Sequence, residues 1–155
     1  PLLVELQALV SGSGWVQPRR TSMGVDANRL SLLLAVMEKK LGFNFSQQDV
    51  FVNVAGGVRL VEPAVDLAMM AALMSSTLDR PVPPGLVIWG EVGLAGEVRG
   101  VTHGALRVAE ALKLGFQKHL IPRSNAERLP TDLGGQCTGV RSLQEVLDGV
   151  FNGRE

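Results

Sequence analysis

Asp49-Val-Phe-Val-Asn-Val54, then Ala55-Gly-Gly57, then Pro63 ahead of Val65-Asp-Leu-Ala-Met-Met-Ala-Ala-Leu73: this stretch carries a strand, a forced turn and a helix in that order. Val50, Val52 and Val54 alternate with Asp49, Phe51 and Asn53, the period of two expected of a half-buried strand. Gly56-Gly57 break it where the backbone must turn sharply or approach another chain closely. The segment after Pro63 is apolar nearly all round, which predicts a helix buried in the middle of the domain rather than laid on its surface.

Working outward, residues 2–10 read as a strand, followed by a loop marked by Ser11, Gly12, Ser13, Gly14 and Pro18, with Trp15 inside it. Arg19, Arg20 and Thr21 lead into a short strand ending near Val25. Asp26 is a good N-cap for a helix whose apolar face is Leu30, Leu33, Leu34, Met37 and Leu41, and Gly42 ends it. Downstream, Pro81, Pro83 and Pro84 make a rigid connector to a strand over residues 86–91, and a tight turn at residues 93–96 returns the chain through Glu97 and Val98. A helix over residues 104–114, stopped by Gly115, feeds a strand at residues 118–121. Ser124 with Glu127, and Ser142 with Glu145, have capping-box spacing and each predicts a short helix. The order of elements implies an α/β or α+β fold with helices packed on a mixed sheet, one domain over residues 1–155.

Lys plus Arg equal Asp plus Glu at 15 each, so no global field draws the chain to nucleic acid or anionic lipid, and any DNA contact needs a local patch. The cations are 11 Arg against 4 Lys, a bias suited to bidentate contacts with phosphate or carboxylate. Arg19, Arg20, Arg59 and Arg99 are the candidates for such a patch, with Trp15 placed either to stack on a base or to pack against a neighbouring subunit. A single cysteine, Cys137, excludes an internal disulfide and reads as a structural thiol. The apolar stretches are too short to span a membrane, and with no charged leader the simplest expectation is a cytoplasmic protein. There is no Gly-Lys pair, so a Walker phosphate loop is excluded, and residues 93–100 read as a turn rather than a nucleotide fingerprint. His103 and His119 lack metal-ligand spacing and read as surface or turn histidines; no metal site is expected.

Several collinear blocks carry a resemblance: residues 52–68 of the opening stretch, Gly24-Val-Asp26 with Asn28-Arg-Leu30, Leu6-Gln-Ala-Leu-Val-Ser11, Gly90-Glu-Val-Gly-Leu94 with Gly96-Glu-Val-Arg99, and Lys113-Leu-Gly-Phe116 before Ile121-Pro122. Together they resemble the C-terminal domain of the bacterial RadA (Sms) family over nearly the whole chain. That domain is in turn similar to the proteolytic domain of Lon, which implies a Lon-like, ribosomal-protein-like fold and a tendency to form hexameric rings. The resemblance implies a fragment of a longer protein with a zinc finger and a RecA-like ATPase upstream. ATP, Mg and Zn are expected in those segments and no cofactor in this one. It further implies homo-oligomer assembly, DNA and recombination proteins such as RecA as partners, and branch migration by the ATPase.

The Lon likeness is broken where chemistry is concerned. Lon's serine stands in Gly-Pro-Ser-Ala-Gly, and the matching residues here are Glu62, Pro63, Ala64, Val65 and Asp66. Counting back from Gly115 and Ile121-Pro122 places Ala105 where Lon has its dyad lysine. A serine hydroxyl is a weak nucleophile until an amine takes its proton, so loss of both partners implies a pseudo-protease. Glu62 and Asp66 are expected to pair with arginines instead. The competing expectations are a residual or rewired Lon-type peptidase, drawing on Asp66, Lys113, Ser75 or Ser76, and a purely structural ring-forming module that never touches DNA.

Overall fold

The computed structural model describes residues 2–14, 16–133 and 136–151; the expectation for Trp15 lies outside them. Its elements are β1 (Leu6–Gly12), β2 (Arg20–Met23), α1 (Ala27–Leu41), β3 (Gln48–Val54), α2 (Asp66–Leu78), β4 (Leu86–Ile88), β5 (Glu91–Val92), β6 (Val98–Arg99), α3 (Gly104–Lys113), β7 (Lys118–Pro122), α4 (Arg123–Ala126), β8 (Cys137–Val140) and α5 (Leu143–Val146), the last running on through a π-helical turn at Leu147–Phe151. A 3-10 turn at Ala55–Gly57 follows β3, and another at Pro63–Val65 leads into α2.

The strands form two three-stranded sheets and a hairpin. The first sheet has the order β1-β3-β2, with β1 antiparallel and β2 parallel to β3; the second, β4-β7-β8, is all parallel; β5 and β6 pair antiparallel. The α/β architecture of helices on mixed sheets is therefore what the element order implied. Helix α1 starts where Asp26 accepts a hydrogen bond from the Arg29 amide at 2.9 Å and ends at Gly42 in the left-handed region (φ 78°). Its buried side, Leu30, Leu33, Leu34, Val36 and Met37, joins the valines of β3 and most of α2 in the principal core. Helix α2 is buried on nearly every face, as its composition required. A smaller apolar cluster, Ala64, Trp89, Val108 and Ile121, lies apart from it, with Leu120 of β7 in one cluster and Ile121 in the other.

Five local expectations are corrected in whole or in part. The first strand begins at Leu6, not Leu2. The strand foreseen at 86–91 is two strands, because the Gly90 amide donates to the Ala64 carbonyl (2.8 Å) and its carbonyl accepts from the Leu67 amide (3.0 Å), which diverts the backbone from β4 onto the turn before α2. Ser124 is no cap: Pro122 already occupies the N-cap of α4, and Glu127 pairs with Arg123. The Ser142 cap forms, accepting from the Glu145 amide, but the Glu145 carboxylate takes the Arg141 amide. Finally, His119 is buried within β7, whereas His103 is an exposed turn residue with φ 63°.

Candidate functional site

The 3-10 turn places Ala64 beneath a cleft of about 570 Å³ whose other walls include Glu62, Glu91, Thr102, Arg107 and Ser124. Ala64 itself is buried. Ala105, one residue into α3, is exposed and does not line the cleft. Two arginines line the cleft, Arg107, two residues further along the helix, and Arg128 beyond α4.

Arg107 is held from three directions. It pairs with Glu62, its Nε donates to the Thr102 carbonyl at 2.9 Å, and its guanidinium lies 5.6 Å from the centre of the Trp89 ring. These contacts join α3, the segment before Ala64 and the strand end at Trp89. On the far side of the cleft Asn125 fixes the approach to α3: its Oδ1 accepts from the Val101 amide and its Nδ2 donates to the Val101 carbonyl, both at 2.9 Å.

Asp66, at the first turn of α2, is 2% exposed and fully engaged. Its carboxylate accepts from Arg29 Nε at 3.0 Å and from the Val92 amide at 3.0 Å, and pairs with Arg29 Nη2, which also donates to the Val92 carbonyl at 3.1 Å. The hydrogen bond to Asp66 holds the Arg29 guanidinium's pKa above its usual value. The pair ties α1, α2 and β5 together. The expectation that Glu62 and Asp66 engage arginines is met within the chain. The Ser75 hydroxyl donates to the Arg80 carbonyl, and the Ser76 hydroxyl accepts from the Val10 amide at 2.8 Å. The Lys113 ammonium bonds Glu110.

Arg59 lies apart from Arg19 and Arg20. Arg19 binds Asp49 through both its amide (2.7 Å) and its guanidinium (3.2 Å) and lies over the Phe51 ring. Those bonds, the amide foremost, hold the Asp49 carboxyl below its usual range. Arg20 spends its guanidinium on the carbonyls of Gln48 and Phe45. Arg59 is exposed beyond the other end of β3: Arg20 is in register with Val50, whereas Arg59 follows the turn after Val54 and precedes the Leu60 amide bound to the Gly24 carbonyl. The four-residue interval from Val50 to Val54 alone separates the two ends by about 13 Å. Arg99 pairs with Glu97 on the β5–β6 hairpin. Sequence reasoning missed Arg107 and Arg29, whose partners lie far along the chain; the one usable signal was the unpaired look of Glu62 and Asp66 beside Pro63.

No group of His, Cys, Asp and Glu among the described residues is arranged to hold a metal ion, and no helix among them is long and apolar enough to cross a membrane. Cys137 Sγ lies 3.8 Å from the Leu133 carbonyl, and burial pushes its thiol pKa up, away from reactivity.

Comparison with known proteins adds the following. The family model described as subunit ChlI of Mg-chelatase matches residues 28–125, from the first turn of α1 to α4, and agrees with a Lon-like fold. The DNA repair protein RadA of Salmonella typhimurium is 48% identical over 98% of this chain, that of Haemophilus influenzae 53% over 98%, and that of Bacillus subtilis 46% over 99%. The chain spans about a third of the length of these relatives, 33% in each case. The chain belongs to the family described as subunit ChlI of Mg-chelatase, and its sequence is that of a RadA-type fragment.

Proposed function

We propose that this domain is a non-catalytic assembly and DNA-handling part of a RadA-type DNA repair ATPase in the cytoplasm. It would organise a hexameric ring around DNA while an ATPase elsewhere in the polypeptide drives branch migration with recombination proteins such as RecA. The observation that carries the reading is near-half identity to DNA repair proteins over almost the whole chain. The cleft supports it. Ala64 offers no hydroxyl, Ala105 no amine, and Arg107 on the cleft wall is paired with Glu62.

Native mass across a concentration series, for this chain and for the longer polypeptide, tests the assembly. A six-subunit species in either supports it, and monomers of both at all concentrations refute it. For DNA, Arg59→Ala and Arg99→Ala in the assembled protein are the informative changes, each expected to lower affinity and to reduce the salt slope by about one unit. Arg20→Ala is expected to weaken folding instead, since its guanidinium is used on backbone carbonyls. Unchanged affinity and slope in the first two would favour a ring module without DNA contact. Turnover of an unfolded protein, abolished by a single substitution in the cleft, would establish the peptidase reading in its place.

A further inference from the structure

Among the described residues, the outer edges of β1 and β4 are open along part of their length, and both border one groove. In β1 the Ala55 amide donates to the Glu5 carbonyl and the Ser13 amide to the Gln47 carbonyl, both at 2.9 Å. Antiparallel alternation then gives odd-numbered residues to β3 and turns the backbone groups of Leu6 and Ala8 outward. In β4 the Trp89 amide donates to the Leu120 carbonyl, so the backbone groups of Leu86 and Ile88 face away from β7 in the same manner. Each edge is closed at one end only, the Val10 amide by Ser76 and the Gly90 amide by the Ala64 carbonyl.

Between the open portions lies a groove of about 700 Å³. Its lining includes Ala68, Ala71 and Ala72 of α2, small side chains that leave the space empty, with Leu114 and Phe116 beyond them. Leu2, Leu3 and Val4 lie in it as well. Because β1 reaches Ser76 late in α2 while β4 ends at Ala64 where that helix begins, the two edges run antiparallel to each other. One strand laid between them, antiparallel to β1 and parallel to β4, would use the backbone groups of both.

We propose that this groove receives an extended strand of the same polypeptide, joined ahead of Leu2, which turns back along β1 and unites the two sheets. The relatives are about three times the length of this chain, so the domain belongs to a longer polypeptide. A stretch joined ahead of Leu2 starts within the groove and needs only a hairpin turn of about two to five residues to return along β1. The tether supplies an effective concentration on the order of millimolar, whereas a free peptide or a second copy bears the full cost of association.

The test compares amide hydrogen exchange in this 155-residue chain with the natural polypeptide extended by about 15 residues ahead of Pro1, enough for a turn and one strand. The Leu6, Leu86 and Ile88 amides are expected to slow by about 100-fold or more on extension, while the Val36 amide inside α1 does not change. Ala72→Phe in the extended polypeptide fills the groove and is expected to return the three amides to fast exchange with Val36 still protected. Three amides unaltered by extension, or insensitive to Ala72→Phe, overturn the proposal. Protection that arises in the 155-residue chain alone as its concentration is raised overturns it too, because the occupant would then be a second copy.

Discussion

Asp66 is a carboxylate at 2% exposure whose charge is tolerable only because Arg29 and the Val92 amide surround it. Arg29→Ala leaves that charge buried and unpaired, and is expected to cost about 3 kcal/mol, the lower end for a broken buried pair because the Arg29 side chain keeps some exposure. Urea denaturation midpoints measure it. An Asp66→Asn change removes the charge but leaves one acceptor oxygen and turns an NH2 group toward the Arg29 Nε–H, so it is expected to destabilise as well. His119 offers a second test, because neither ring nitrogen has a hydrogen-bond partner among the described residues and burial, against weaker support from Phe116, lowers its pKa. A histidine held neutral in the folded state but free to protonate when unfolded makes the unfolded state bind more protons. Stability is therefore complete above about pH 6.5 and falls as pH drops through that value, by up to about 1.4 kcal/mol per unit. Asp49 and Glu97, both held low by hydrogen bonds, lose their contributions only at more acid pH. His119→Leu is expected to flatten the stability profile below about pH 6.5; a profile unchanged by that substitution would show that the ring is reached by water. Sequence could not reveal this residue's burial, since the second sheet is covered on both sides and its strands lose the alternation that marks an exposed face.

At the scale of elements, the legible parts are those whose determinants lie within a few residues. Helix α1 carries its own start, face and stop: Asp26, the leucine periodicity and Gly42. Asp26→Ala is expected to cost about 1 kcal/mol, with Asp26→Ser recovering most of it, because the lost feature is one acceptor for the Arg29 amide. Gly42→Ala tests the other end; the space around it is open, so the cost of about 1–2 kcal/mol comes from the left-handed backbone alone. Thermal midpoints read both. The misread elements depend instead on distant residues. The break between β4 and β5 is imposed by Ala64 and Leu67 on Gly90, where an added Cβ would stand 3.0 Å from Pro122 and 3.2 Å from Leu67. The spacing of Ser124 and Glu127 satisfies the capping pattern, yet Pro122 at the end of β7 starts α4 two residues earlier. The cleft divides in the same way: Ala64 could be found by its place after Pro63, whereas the pairing of Arg107 with Glu62 joins residues 45 positions apart.

Across the whole molecule, the second sheet sits between two apolar clusters, giving Leu120 to the larger and Ile121 to the smaller, so loss of either layer exposes the other. The larger cluster draws on both sheets and on α1, α2 and α5. A single cooperative transition follows from that sharing, since no boundary of few contacts separates the two layers. The check uses Trp15→Phe, which leaves Trp89 as the sole tryptophan, in the smaller cluster, while far-ultraviolet circular dichroism follows the helices that build the larger one. Coincident urea midpoints from the two signals are expected. If the Trp89 signal moved first, the layer formed by α3, α4 and the cleft would open while the main core stayed folded. Arg107, Glu62 and Trp89 would then form a movable lid over the main fold, and a rigid surface for assembly would have to be sought on the first sheet and α1.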